Sequence, residues 1–384
     1  MKMDKNYWFV IEPYVYISVT KKEVLLYNTL DGVTLESEKV EVVKLMHEVI
    51  EKENFGVVFL ISDRLYQSDI HDFVMMLREN FMGDIIDAEL SSGKPVQISP
   101  YTNFYVGNDL YIKHNFSSLK NVLNNLLEVN AHVDNTIKID LFISFLQSLP
   151  ENITINIIGN LKSLNRCNDL FCFLDKRSNL KNFTCSYRDI MILESNCMNN
   201  FSYRILVQFP VDKSLLIDSI NLLKSQTAPY EYLFSLTSLD DYQQAEHFVE
   251  QYQLKKYYFK PVYTGCNIDF LKEHVFLTKE DILSTPMSLK NFFTNQAVNS
   301  NDFGKIHIKP NGDVYANLSF SSLGNIYQQN IYELLQKEID EGQSWFRIRN
   351  HEPCNTCVYQ WLCPPPSDLE IAIGQLNLCH VKSI

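Results

Sequence analysis

Glycine is scarce in this chain, 12 of 384 residues, which argues against a glycine-rich nucleotide-binding design. No Walker A loop, G-x-S-x-G elbow or H-E-x-x-H pair occurs, so the common phosphate-cradling, serine-hydrolase and zinc-protease constellations are missing. No uninterrupted apolar run reaches the roughly 18 residues of a membrane span. The opening MKMDKNYWFVIEPYVYI lacks a signal-type apolar region with a small-residue cleavage site. Positive charge is also short: 34 Lys and Arg face 46 Asp and Glu, a net charge of −12. With no basic run, the balance speaks against nucleic-acid and anionic-membrane partners but leaves a basic peptide possible. No cysteine precedes Cys167. The odd total of 9 and a C-x2-C pair fit a reducing compartment better than a disulfide framework, so a cytoplasmic location is expected.

What is present suffices for real cores. Hydrophobic residues make up 46%, with 24 Phe and 21 Tyr, and the length suggests two or three domains. Val15 to Val19, Val24 to Tyr27 and Val33 to Glu36 are β-prone and separated by turn residues. Helices are expected over Lys39–Lys52 and Asp69–Phe81, the second with Ile70, Phe73, Val74, Leu77 and Phe81 on one face. Gly93, Pro95 and Pro100 mark a linker. Strands and helices then alternate from Ile153 to Tyr263, with Asp212 and Asp240 as expected caps. That alternation predicts a parallel sheet with right-handed crossovers, and five or six units make a partial β/α barrel. Lys305–Ile308 and Val314–Leu318 form a hairpin about Asn311-Gly312, and a helix follows over Ile331–Glu341. The expected divisions are 1–90, 91–300 and 301–384.

The last division carries the chemistry. Cys354, Cys357, Cys363 and Cys379 follow the spacing C-x2-C-x5-C-x15-C. Four thiolates suffice for one [4Fe–4S] cluster or one zinc ion, and buried free thiols are the plain alternative. Tyr359 and Trp361 lie inside the cysteine loop and either shield it or simply pack. His47, His71, His247 and His351 read as solvated, while His380 adjoins Cys379 as a candidate donor to a sulfur. Cys167 and Cys172, spaced C-x4-C, read as core thiols. No set of residues reads as catalytic.

The hairpin phrase N-G-D-V-Y, then L-G-N-I, a helix, C-x2-C-x5-C and the CPPPS run at Cys363–Ser367 resemble radical SAM proteins with a SPASM tail. The likeness is greatest to peptide-maturation members of the Bacteroidales type. The departures are specific. The C-x3-C-x2-C triplet that holds the SAM cluster is absent, and Tyr101–Asn115, where it belongs, has no cysteine. Ile158-Gly159-Asn160 stands where the family usually has Gly-Gly-Glu. Asn317 and Ser367 replace two ligands of the first auxiliary cluster. The resemblance therefore implies a pseudo-radical-SAM protein with one auxiliary [4Fe–4S] cluster on Cys354, Cys357, Cys363 and Cys379. Zinc is the alternative, and no SAM is expected.

The N-terminal region, through its strand order and the phrase Val24-Leu25-Leu26-Tyr27-Asn28, is similar to the PqqD-like RiPP recognition element, a winged-helix-like α+β module. That likeness implies capture of a precursor leader peptide by strand addition. The edge would be Val33, Thr34, Leu35 and Glu36, backed by Phe73 and Leu77 of the second helix. A packing-only cap is the alternative. The implied partners are the leader and a radical SAM maturase. The implied role is non-catalytic, with electron relay or a zinc-stabilised scaffold as the other readings.

Overall fold

The computed structural model describes residues 5–95, 122–160, 166–190, 200–225 and 228–381. The expected linker from Pro100 and the Tyr101–Asn115 segment lie outside them.

Alternating apolar residues build the N-terminal module as two small antiparallel sheets. Strand β1 (Tyr7–Ile11) is followed by β2 (Val15–Val19), β3 (Val24–Asn28) and β4 (Thr34–Ser37). Helix α1 (Val40–Ile50), β5 (Val57–Leu60), the single turn α2 (Ser62–Leu65), α3 (Ser68–Glu79) and β6 (Gly83–Asp87) complete it. The sheet orders are β5-β1-β6 and β2-β3-β4. Strand β6, with its sequence GDIID, is not foreseen from the sequence, because two Asp and a Gly weaken its β signal. The apolar faces of α1 and α3 close over both sheets, burying Phe9, Leu26, Leu45, Val74 and Leu77 in one cluster.

The second body is a nine-stranded, mostly parallel sheet. Strand β7 (Glu128–Val133), α4 (Ile139–Gln147), β8 (Thr154–Gly159), α5 (Cys167–Asp175), β9 (Leu180–Ser186) and β10 (Ser202–Gln208) come first. Then follow α6 (Lys213–Ser225), β11 (Tyr230–Leu236), α7 (Leu239–Tyr252) and β12 (Tyr257–Pro261). Three short helices, α8 (Ile268–His274), α9 (Lys279–Ser284) and α10 (Leu289–Ala297), lead to β13 (Lys305–Ile308), β14 (Asp313–Tyr315) and β15 (Gly324–Asn325). The order is β12-β11-β10-β9-β8-β7-β13-β14-β15, so β7 to β12 lie side by side in chain order. The expected hairpin joins this sheet beside β7, and β13 runs parallel to it. The sheet therefore spans the expected division at 300.

One face of the sheet is apolar. Val129, Ile155, Phe183, Ile205 and Phe234 point to that side and pack with Phe142, Leu170, Ile220 and Phe248 of the four crossover helices. Each such fully buried side chain contributes about 1.5–3 kcal/mol. The other face is polar at the matching positions. Glu128, Asn130 and His132 alternate with the core residues of β7, which hides this strand from a search for hydrophobic runs.

Local details shift a few expectations. Asp212 does cap α6, accepting from the N–H groups of Ser214 and Leu215 at 3.1 and 3.3 Å. Ser238, rather than Asp240, caps α7, its hydroxyl accepting from the Asp241 N–H at 3.2 Å. Cys172 is exposed instead of lying in the core, because α5 buries the face that carries Leu170, Phe171 and Leu174. The Cys167 side chain lies outside the described residues.

Helix α11 (Ile331–Glu341) ends at Gly342, whose φ of 64° continues the chain in a left-handed turn. The turn is pinned by Glu338. This carboxylate is 1% exposed and accepts from the N–H groups of Ser344 and Trp345 at 2.8 and 2.7 Å. Burial raises its pKa above the ordinary carboxylate value. A raised carboxyl pKa favours folding below the unfolded value, and that gain is lost as pH rises through the folded one. Glu338→Ala, which strands two buried donors, should cost about 2–4 kcal/mol in urea melts. Glu338→Gln keeps an acceptor and should gain on wild type as pH rises from about 4 to 7. A constant difference across that range would contradict this account of Glu338.

Candidate functional site

The four tail cysteines hang on a short scaffold. Cys354 opens a 3-10 turn over Cys354–Thr356, and the Cys357 N–H returns to the Cys354 carbonyl at 3.0 Å. The Cys363 N–H reaches the Tyr359 carbonyl at 3.0 Å, closing the five-residue loop. Cys379 comes from elsewhere. It bridges Leu277, whose N–H bonds Leu378 at 2.9 Å and whose carbonyl accepts from His380 at 2.9 Å. The imidazole of His380 bonds the Lys272 carbonyl at 2.8 Å, so this contact is directed to backbone, away from a sulfur.

Pro364, Pro365 and Pro366 between Cys363 and α12 (Asp368–Ile373) have no N–H to satisfy, yet each carries a carbonyl. Arg349 Nε donates to Pro364, and Asn301 to Pro365 at 3.3 Å. Asn299 and Arg347 donate to Pro366 at 2.9 and 3.1 Å. Asn295 secures the loop before them through the Trp361 carbonyl at 2.9 Å. These asparagines and arginines hold Cys363 in place from outside the cysteine motif.

All four cysteines are free thiols, Cys354 and Cys357 buried and Cys363 and Cys379 half-buried. Burial pushes the Cys363 thiol up to about 12, Arg349 opposes this, and Cys357, Cys379 and Cys354 each push it further. Cys354 is also raised, chiefly by burial, with Arg349 again opposing and Cys379 adding. Among the described residues no three His, Cys, Asp or Glu side chains gather as a group for one metal ion. Arg349 supplies positive charge here: it donates to Cys354 Sγ at 3.9 Å and pairs with Glu370 at 2.7 Å, both partners of that pair being under 10% exposed. Asn377 donates to Cys379 Sγ at 3.3 Å. Four thiols with polar donors from Arg349 and Asn377 match a four-thiolate centre in ligand type and number, although they do not gather on one point.

The positions of the two departures are built into other structure. Asn317 is 3% exposed and donates to Asp302 at 3.2 Å and to Asp368. Ser367 caps α12 in a reciprocal capping box with Glu370. Gly159 ends β8 at φ 155°, where a Cβ would stand 2.3 Å from the Val133 carbonyl oxygen, so glycine alone fits there.

Strand β4 is an edge strand of its sheet. It runs Thr34–Ser37, one residue later than expected, and Val33 precedes it. The Asn28 N–H bonds the Val33 carbonyl at 2.8 Å, which sets the alternation along the pair. Leu35, opposite Leu26, therefore turns its backbone groups toward β3, while those of Thr34 and Glu36 face outward. Val33 and Leu35 pack on the N-terminal core. Glu36 faces the tail, accepting from Tyr359 Oη at 2.7 Å and pairing with Lys279 at 2.5 Å. Phe73 and Leu77 are 2% and 0% exposed, so they back α3 from inside. The spacing that marks them as one helix face marks the core face, leaving no surface there for a docked strand.

Sequence reasoning gives no weight to His132 and His307, which the sheet brings together with ring centres 6.0 Å apart. The period-2 placing of Glu128, Asn130 and His132 is the signal that marks this polar face.

If the Arg349–Glu370 pair is the buried clasp of the tail, Arg349→Met alone should cost about 3–5 kcal/mol, leaving Glu370 charged and unpaired. Arg349→Met with Glu370→Met should recover much of that loss in denaturant melts. No recovery would mean that the arginine acts through the Pro364 carbonyl and Cys354 instead. No family model, no curated protein and no solved structure matches this chain.

Proposed function

We propose that this chain is a non-catalytic, pseudo-radical-SAM partner in the maturation of a ribosomally made peptide. It captures the precursor leader on the edge of β4, docks on a radical SAM maturase and holds one [4Fe–4S] cluster on Cys354, Cys357, Cys363 and Cys379. Strands β7 to β12 in chain order, with returning helices on one face, support a partial β/α barrel. The odd cysteine count and the C-x2-C pair support a cytoplasmic setting.

The observation that carries the reading is a loop holding Cys354, Cys357 and Cys363 that packs directly on an open-edged sheet. Tyr16, Leu25 and Tyr27 of that sheet share one buried cluster with Cys357, Val358, Tyr359 and Leu362. A four-iron cluster takes one thiolate at each iron and needs the sulfurs spread around it, whereas zinc draws four sulfurs to about 2.3 Å from one point. The tail's resemblance favours the cluster over zinc. When bound, the cluster supplies a one-electron couple with no open iron. Arg349 and Asn377 would offset its negative charge, and Tyr359 and Leu362 would limit water.

For the peptide, the outward N–H and C=O groups of Thr34 and Glu36 offer the ladder, as in other β-augmentation sites. No helix among the described residues is long and apolar enough to cross a membrane.

Two measurements test the reading. Protein purified without oxygen should carry about four irons and matching sulfide per chain. One zinc without iron would replace the cluster by a structural clasp, and about eight irons would return the chain to the active enzymes. In the second, a synthetic peptide of the leader encoded beside the maturase is titrated by calorimetry. Thr34→Pro removes one outward N–H on an edge strand, where proline is tolerated, and should weaken binding at least tenfold with the melt unchanged. Leu35→Pro instead breaks the β3–β4 ladder and should destabilise the module. Equal affinity of Thr34→Pro and wild type would remove the edge from the proposal.

A further inference from the structure

The polar face of the large sheet carries a built feature that the tail chemistry does not use. Asn130, Asn156 and Asn182 stand opposite one another on β7, β8 and β9. Their amides form a ladder, Asn182 donating to Asn156 at 2.7 Å and Asn156 to Asn130 at 2.8 Å. His307 on β13 lies in the same row, opposite Asn130. His132 lies one position further on that face of β7, near the C-terminal end of the strand. Ligands of open α/β sheets collect at that end of the parallel strands.

The two imidazoles face each other at 6.0 Å between ring centres, with planes 31° apart. Nε2 of His132 and Nδ1 of His307 are buried, and neither has a hydrogen-bond partner among the described residues. A buried unpaired nitrogen costs about 1–3 kcal/mol, and two that share one neighbourhood point to a common occupant. Burial and then Lys309 lower His132, and burial followed by His132 pushes His307 down to about 4. A neutral imidazole offers a lone pair to zinc, copper, nickel or iron. An ion 2.0–2.1 Å from each nitrogen places two ring centres about 5–6 Å apart, which matches the observed separation. The charged groups facing His307 are mixed: Asp368 and Glu128 favour positive charge there, while Lys305 disfavours it.

We infer that His132 and His307 form an open two-histidine site for a divalent first-row transition ion on the polar face of the sheet, separate from the tail thiols. No third His, Cys, Asp or Glu joins them among the described residues, and water or a substrate oxygen would complete the coordination. The inference does not depend on the function proposed above.

The test is a Co2+ titration of the anaerobically purified full chain and of the His132→Gln/His307→Gln double variant. Cobalt on imidazoles gives weak visible d–d bands, whereas cobalt on the tail thiols adds strong near-ultraviolet charge transfer. Wild type should bind one Co2+ more than the double variant, and the variant should lose only visible bands that lack a thiolate counterpart. Equal cobalt and equal spectra would mean that the two nitrogens share nothing more than water, and would overturn the site. If the double variant does not fold, imidazole 15N spectra of wild type decide. One-to-one Zn2+ shifts of both histidines support the site, and unmoved resonances reject it.

Discussion

Glu36 is the residue through which the two ends of the chain are joined. It leaves β4 on the face opposite Leu35, and its carboxylate takes the Tyr359 phenol and the Lys279 ammonium together. Around it, Tyr16 stacks on Phe292 with ring centres 3.9 Å apart, and the Tyr27 hydroxyl oxygen accepts the Met287 N–H at 2.9 Å. A partly exposed ion pair contributes little by itself. Its weight comes from the apolar cluster beneath it, where the sheet of β2, β3 and β4 meets the loop that holds Cys357 and Cys363. That sheet is thus covered on both faces, by the N-terminal core and by the tail, and no further strand pairs with the β4 edge among the described residues.

The same contact explains why the cysteine loop has a defined shape before any metal is considered. Its apolar residues Val358, Tyr359 and Leu362 are buried against the N-terminal sheet. Its polar backbone is satisfied by asparagines and arginines from segments 295–301 and 347–349. Arg349 is pivotal because it serves three neighbours at once, the Glu370 carboxylate, the Pro364 carbonyl and the Cys354 sulfur. A buried guanidinium with that many partners fixes geometry more than it adds stability, since desolvation offsets much of the Coulomb attraction.

Legibility in the sequence follows from where the signal is periodic. Helix α11 begins and ends where its pattern predicts, over Ile331–Glu341, because Asn330 caps its start and Gly342 its end. The crossover strands β8 to β11 are legible because one face of each is apolar. Strand β7 is not, since Glu128, Asn130 and His132 fill its alternate positions and the strand reads as polar. The tail thiols are legible from spacing alone, but their support is not. Asn295, Asn299 and Asn301 act through carbonyls more than sixty residues away, and no local pattern records that. Phe73 and Leu77 show the opposite limit: periodicity identifies the face of α3 correctly, and packing decides that the face turns inward.

A strand added at β4 and a metal held by the tail, as proposed, would not be independent events. Both act on the same small cluster, one through Thr34 and Glu36 and the other through Cys357 and Tyr359. Ordering the cysteine loop fixes the Tyr359 hydroxyl that holds Glu36, and fixing Glu36 restricts the backbone of the edge strand. Whatever rigidity one ligand supplies, the other need not supply again, and by linkage the effect must run equally in both directions. Dense packing favours this coupling, because side chains in a close-packed cluster move between discrete arrangements instead of yielding gradually. On the proposed reading, the position of Glu36 beside both the β4 edge and the cysteine loop would couple the state of the tail to capture of a peptide.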